Sequence, residues 1–182
     1  MDNIQVFENY LPKNKSDKME EILLSQDFPW FLIKKSSGES KEVNGYKDTV
    51  QFEHHFFRDG NQTSSGFPFF CDLLSLGDLI TKFNIPNKVT RMKSNLLLKT
   101  QKTPNTPHID FSDPHLVLLY YVNDSDGPTI FYEKNGNRFN KIKEIHPRKG
   151  TFVLFNGSIY HSSTPPQLND YRCVININTL TC

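Results

Sequence analysis

The segment Pro107-His108-Ile109-Asp110, read together with His161 and Arg172 far downstream, decides how this chain folds and what it can hold. On an extended backbone, residues i and i+2 project to the same side, so His108 and Asp110 can reach one ion. Two imidazoles and one carboxylate form a facial triad, which leaves adjacent coordination positions open on an iron(II) ion. Zinc can use the same donors. An isolated His-x-Asp among Pro104, Pro107 and Pro114 reads as a solvated loop. The order and spacing of the downstream residues outweigh that reading. Arg172 begins the alternation Arg172-Cys173-Val174-Ile175-Asn176-Ile177 and shares a face with Val174 and Asn176. An arginine turned into a barrel is costly unless it meets an anion, and a carboxylate is its bidentate partner. In Leu116-Val117-Leu118-Leu119-Tyr120-Tyr121, one of the two tyrosines must face inward, where its hydroxyl can join Arg172 on that carboxylate.

Outward from this segment the chain divides by pattern. Ile4–Leu11 alternates like a short strand. A helix follows, capped by Ser16 or Asp17, with Glu20 closing a capping box. Its buried stripe is Met19, Ile22, Leu23 and Leu24, and it ends near Gln26, before Pro29. Phe28–Lys35 and Val50–Arg58 read as strands, and Cys71–Phe83 as a helix weakened by Gly77. From Val89 onward, short strands alternate with turns. They cover Val89–Thr100, Leu116–Asn123, Pro128–Glu133, Arg138–Ile145, Gly150–Phe155, Ile159–Ser163 and Tyr171–Leu180. Lys134-Asn135-Gly136-Asn137 is a hairpin signal. Helices early and strands late predict a mainly β chain with flanking helices (α+β). The expected architecture is a double-stranded β-helix of jelly-roll or cupin-like type, buttressed by N-terminal helices, whose intervening strands bring His161 back across the barrel mouth. One domain is expected over residues 1–182, with a support region over 1–88 and a metal-binding core over 89–182.

Composition narrows the function classes. A chain of 182 residues buries a core without a metal or disulfide staple, and its 15 Phe can fill that core. A net charge of +1 gives no global field for nucleic acid or an anionic membrane. Lys88, Arg91 and Lys93, like Lys141, Lys143, Arg148 and Lys149, read as solvated basic edges, with a substrate-guiding patch as the lesser alternative. Cys71, Cys173 and Cys182 are too scattered for a zinc ribbon or a disulfide framework. Reduced thiols, no leader-like start and no apolar run of membrane length point to the cytoplasm. Abundant Asn, Lys, Ile and Phe suit an AT-rich genome, bacterial or viral. His54, His55, His115 and His146 are not read as ligands. Phe56, Phe57, Phe67, Phe69 and Phe70 read as core ahead of an approach path. Ser36–Asp48 and Arg58–Phe67 are candidate lids, because loops carry specificity on rigid barrels.

From about Arg91 to Asn178, the chain resembles the prolyl 4-hydroxylase-like branch of the iron(II)/2-oxoglutarate-dependent oxygenases. The resemblance is carried by Pro107-His108-Ile109-Asp110, Tyr120-Tyr121-Val122-Asn123, Asp126-Gly127-Pro128-Thr129-Ile130-Phe131, Gly150-Thr151-Phe152-Val153-Leu154-Phe155 and Tyr160-His161-Ser162. Val6-Phe7-Glu8-Asn9-Tyr10-Leu11-Pro12 is similar to the family's entry strand and helix. The resemblance implies iron(II) ligation by His108, Asp110 and His161. It implies 2-oxoglutarate binding by Arg172, helped by Tyr121, with Asn95 as a further contact. It implies O2 as co-substrate, ascorbate as an accessory reductant, and hydroxylation of an unactivated C–H bond in a peptide or small molecule, with release of succinate and CO2.

The chain also departs from the family pattern. Arg172 stands where many relatives carry Lys, Asp126 replaces the first of two glycines, and Pro128 replaces an acidic residue. No tyrosine stands on the strand before the metal motif, where Lys99 lies instead. A carboxylate at Asp110 argues against halogenase chemistry. The competing expectation is a cupin-like metal-binding barrel without redox turnover, which would have no use for Arg172 in its pocket. Nucleic-acid demethylation is disfavoured by the near-neutral charge. The oligomeric state is not legible.

Overall fold

The computed structural model describes residues 4–34, 45–100 and 104–181. Positions 36–44 of the candidate lid and Cys182 lie outside the described residues. The elements run β1 (Ile4–Phe7), α1 (Lys13–Leu23), β2 (Phe31–Ile33), β3 (Gln51–Arg58), β4 (Asn61–Gln62), α2 (Phe67–Leu73), α3 (Leu76–Lys82) and β5 (Val89–Leu98). They continue with β6 (His115–Tyr121), β7 (Thr129–Asn135), β8 (Arg138–Ile145), β9 (Phe152–Asn156), β10 (Tyr160–Ser163) and β11 (Tyr171–Leu180). The larger sheet has the order β1-β9-β6-β11-β5-β3-β2, with β4 on β3, and the smaller sheet is β10-β7-β8. Every described strand pairing is antiparallel. This is the expected mainly β double-stranded β-helix. The early strands do not stand apart from the later ones, since β1 pairs with β9 and β3 with β5.

Period-two alternation divides the larger sheet into two faces. Leu118, Tyr120, Phe152, Leu154, Cys173, Ile175 and Ile177 pack outward against Met19 and Leu23 of α1 and against Phe70, Leu73, Leu74 and Leu79 near α2 and α3. Their neighbours Val117, Leu119, Tyr121, Val153, Phe155 and Val174 face the other way, joined by Ile4 and by Phe131 of the smaller sheet. Each fully buried side chain of this size contributes roughly 1.5–3 kcal/mol. Phe56 and Phe70 lie in the first cluster, with Phe57 and Phe67 partly buried against it. Phe69 is exposed.

Local readings shift where tertiary contacts take over. The α1 helix starts after Pro12, with no side-chain cap, because the fixed φ of proline already suits a helix entry. The Ser16 hydroxyl instead donates to the Lys13 carbonyl at 2.9 Å inside the first turn. Asp17 and Glu20 form no capping box and both accept from Lys149. The expected Cys71–Phe83 helix is two helices. Ser75, at φ 49°, breaks the chain between them, while Gly77 sits inside α3. The hairpin at Gly136, φ 59°, forms as expected between β7 and β8. Among the described residues no helix is long and apolar enough to cross a membrane.

Candidate metal centre

Strand register assembles the site. Across β5 and β11, Arg91 opposes Asn178, Lys93 opposes Asn176, Asn95 opposes Val174 and Leu97 opposes Arg172. Directly opposed residues share a face. β6 adds Val117, Leu119 and Tyr121 to that face, and β3 adds Glu53 and His55. The face is therefore apolar at its β1-β9-β6 end and charged at its β11-β5-β3 end. A cleft opens where the apolar filling stops, lined among others by His108, Asp110, His161, Arg172, Lys93 and Asn176.

His108 and His161 face each other in an antiparallel bridge, each backbone N–H donating to the other's carbonyl at 3.0 Å. Their ring centroids are 4.9 Å apart. The Nδ1 of His108 lies 2.9 Å from the Thr106 carbonyl, and that of His161 lies 3.1 Å from the Ile159 carbonyl. A carbonyl only accepts, so Nδ1 carries the proton in both rings and Nε2 keeps its lone pair. Potential ligand atoms of His108, Asp110 and His161 all lie within 4.8 Å of one another. The Asp110 Oδ1 faces an Arg91 nitrogen at 2.7 Å, and Oδ2 accepts from Asn178 at 2.8 Å and Asn176 at 3.2 Å.

Electrostatics suit a divalent cation. Burial works against the Asp110 carboxylate, but Arg91, the two imidazoles and the Asn178 amide hold its pKa well below the usual range. Burial, reinforced by His108 and Arg91 and opposed by Asp110, pushes His161 down to about 4. An ionised carboxylate beside a neutral imidazole with its lone pair preset is the protonation state that metal binding requires. The donor set therefore fits a divalent cation such as the iron(II) expected from the sequence.

Arg172 is 2% exposed and the largest fully buried side chain described. Its Nε donates to the Gly127 carbonyl at 2.8 Å and its Nη2 to the Thr129 hydroxyl at 2.7 Å. The guanidinium lies 5.8 Å from the Tyr121 ring centroid. Tyr121 is the inward tyrosine, and its hydroxyl donates to Thr129 at 2.8 Å, while Tyr120 packs on the helical side. Among the described residues no carboxylate pairs with Arg172. Asn95 lines the cleft, and its amide donates to Glu53 at 2.9 Å.

One expectation needs correction. Lys93 and Arg91 are not part of a solvated basic edge. Lys93 is buried beside Glu53, and Arg91 pairs with Asp110. In sequence, a strand with polar residues at alternate positions looks like one whose polar face meets water, and only the register shows that this face meets the cleft. Thr129 and Glu53 carry site contacts that residue type and spacing did not flag. Asp126, in place of a glycine, accepts from the backbone N–H groups of Gln167, Leu168 and Asn169 and ties down the loop before β11. The other histidines are apart from the centre. His54 packs among Phe28, Phe31 and Phe56, His55 faces Glu53, His146 faces Glu144, and His115 is buried against Gly157.

No protein-family model matches the sequence, and no curated protein does. Solved structures do match. A 2OG-Fe(II) oxygenase family oxidoreductase from Burkholderia pseudomallei is 13% identical with a TM-score of 0.65, covering 97% of this chain and 85% of that one. A prolyl hydroxylase from Trichoplax adhaerens, solved with a hypoxia inducible factor peptide fragment, is 17% identical with a TM-score of 0.66, covering 99% and 84%. The viral collagen prolyl hydroxylase of Paramecium bursaria Chlorella virus-1, in its 2OG complex, is 14% identical with a TM-score of 0.55, covering 98% and 97%. The expected resemblance thus stands at the level of fold: this chain has the double-stranded β-helix fold of the 2OG-Fe(II) oxygenases, prolyl hydroxylases among them.

Proposed function

We propose that this chain is an iron(II)- and 2-oxoglutarate-dependent dioxygenase that hydroxylates an unactivated C–H bond in a peptidyl residue or small molecule. The observation that carries this reading is the presence of two binding sets in one cleft: the His108, Asp110 and His161 cluster, and a buried Arg172 with no carboxylate partner among the described residues. An uncompensated buried cation is costly, and a dicarboxylate anchored on the metal would supply its missing anion. The fold shared with 2OG-Fe(II) oxygenases supports the same assignment.

His108 and His161, through Nε2, and Asp110 would hold the ion. Bound iron(II) would supply, with 2-oxoglutarate and O2, the oxidative decarboxylation to succinate and CO2 that drives C–H hydroxylation. Arg172 would bind the far carboxylate of 2-oxoglutarate, with Tyr121 and Thr129 beside it. Both lone pairs of the Thr129 hydroxyl are occupied by Arg172 and Tyr121, so its own proton is left to donate to that carboxylate. Leu119 and Val174 are the apolar residues of the cleft lining and would keep water from the space between the two sets. Asn176 and Asn178 orient Asp110. Ascorbate would serve as an accessory reductant.

The test is anaerobic iron(II) binding with 2-oxoglutarate, followed by visible absorption, and then succinate release after oxygen is admitted. Wild type is expected to show a charge-transfer band and succinate, both lost in His108→Ala and weakened in Arg172→Ala. Folded, iron-loaded protein with neither signal would leave the cupin-like metal-binding barrel as the better account. Arg172→Ala would then be without effect.

A further inference from the structure

Lys93 is a second buried cation in the cleft, and neither the metal cluster nor the Arg172 pocket uses it. Its side chain is 11% exposed, and that of Glu53 is 8% exposed. Glu53 is saturated. Its Oε1 accepts from Lys93 at 2.6 Å, Gln51 at 2.8 Å and Asn95 at 2.9 Å, and its Oε2 faces His55 at 3.2 Å. These contacts hold the carboxylate in place, and it in turn fixes Lys93. The ammonium has three donors, and Glu53 takes one. A buried ion pair is weak evidence for stability, because an apolar pair of similar volume packs as well or better. Function is the stronger reason for a cation here.

Beside it lies an acceptor without a donor. Asn176 is the register partner of Lys93, so their side chains stand as neighbours on the cleft face. The Asn176 amide nitrogen is committed to Asp110, while its Oδ1 is buried and meets no donor among the described residues. A ligand that carries an anionic group and an adjacent neutral donor would satisfy both residues. The charges agree. Arg91, Lys93 and Arg172 exceed Asp110 and Glu53 by one positive charge. A divalent ion with the 2-oxoglutarate dianion leaves that excess unchanged, and a monoanion cancels it.

The geometry points to Lys93 and Asn176 as the head-group site for the prime substrate, a monoanionic carboxylic acid with a neutral N–H or O–H donor on its α-carbon. Lys93 binds the carboxylate, and Asn176 Oδ1 accepts from the α-donor. 2-Hydroxy acids and N-acylated or C-terminal amino-acid residues have this form. A mid-chain peptidyl residue does not. The assignment rests on the oxygenase reading, which reserves Arg172 for 2-oxoglutarate.

The experiment uses the full chain loaded with Mn(II) and 2-oxoglutarate, without oxygen. Calorimetry measures binding of a panel of N-acetyl amino acids and 2-hydroxy acids, each against its own primary amide. At least one acid is expected to bind about thirtyfold or more tightly than its amide, the scale set by one buried charged contact. Lys93→Met should abolish that preference and leave Mn(II) and 2-oxoglutarate affinity nearly unchanged. Lys93→Met combined with Glu53→Gln removes both charges and provides a variant with no orphaned carboxylate. The proposal is overturned if no acid outbinds its amide, or if the preference survives Lys93→Met. It is also overturned if Lys93→Met costs as much 2-oxoglutarate affinity as substrate affinity, since Lys93 would then serve the co-substrate. If wild type binds neither Mn(II) nor 2-oxoglutarate, the oxygenase reading fails by itself, and the acid-to-amide comparison on the metal-free protein still decides the head-group site.

Discussion

His108 and His161 are locked together by a pair of reciprocal backbone hydrogen bonds, both 3.0 Å long, so backbone pairing rather than the ion sets the separation of the two imidazoles. Each ring is further fixed by the carbonyl two residues before it. A preformed site gains stability on binding rather than spending it on ordering. Saturating Mn(II) or iron(II), at about a hundred times its dissociation constant, should add about 2.7 kcal/mol. That corresponds to a Tm rise of roughly 5–10 °C, with the circular dichroism of the metal-free protein already native-like. His161→Ala should lose the rise. A metal-free wild type that lacks strand signal would contradict preorganisation.

Thr129 links Tyr121 to Arg172 through one oxygen. Thr129→Val keeps the shape but removes the hydroxyl proton, takes the acceptor from Arg172 Nη2 and leaves the Tyr121 hydroxyl only the Ile145 carbonyl at 3.5 Å. Hydrogen bonds to charged groups contribute about 1.5–3 kcal/mol, so 2-oxoglutarate affinity should fall at least about tenfold. Metal affinity should hold, because the Thr129 hydroxyl makes no contact with the His108, Asp110 and His161 set. Equal loss of both would show a general collapse of the cleft instead. Titration of each ligand separately distinguishes the two.

Gly127 has no room for a side chain. A Cβ there would lie 2.3 Å from the Thr164 carbonyl oxygen, 2.9 Å from the Pro166 nitrogen and 3.0 Å from the Pro165 carbonyl carbon. All three are backbone atoms, so the turn before β7 must move, taking with it the carbonyl that accepts from Arg172. Gly127→Ala should cost roughly 1–3 kcal/mol of stability and weaken 2-oxoglutarate binding. An unchanged urea midpoint would show that the loop adapts freely.

Glu53 predicts a pH dependence of stability. Burial opposes its ionisation, but His55 and Lys93 outweigh burial and lower its pKa from 4.5 to about 2. A depressed pKa contributes stability above the unfolded value, and that contribution is lost as pH falls through the folded value. The window is therefore pH 4.5 down to about 2. Within it, wild type should lose on the order of 3 kcal/mol more than Glu53→Gln, read as the difference between two urea-unfolding series. Parallel series would mean that Glu53 titrates normally.

The primary sequence by itself determined most of the order of elements and the His108, Asp110 and His161 donor set that the fold brings together. The continuous apolar run Leu116–Tyr121 and the alternating run Tyr171–Leu180 both marked strands, and both faces of each strand are largely buried. The His-x-Asp spacing marked a shared side because alternate residues on extended backbone point together. The arrangement of the cleft was decided only in three dimensions. Lys93, Glu53 and Thr129 stand on three different strands, and register sets what each one meets. The choice of Tyr121 over Tyr120 was open in the chain and was settled by which face of β6 meets Val174 and Phe131. Local signals also failed where distant partners were stronger, as when Asp17 and Glu20 took Lys149 in place of a helix cap. Hydrophobic periodicity is local and survives in any context. Pairing of charges depends on neighbours brought from elsewhere in the chain, which only the folded sheet supplies.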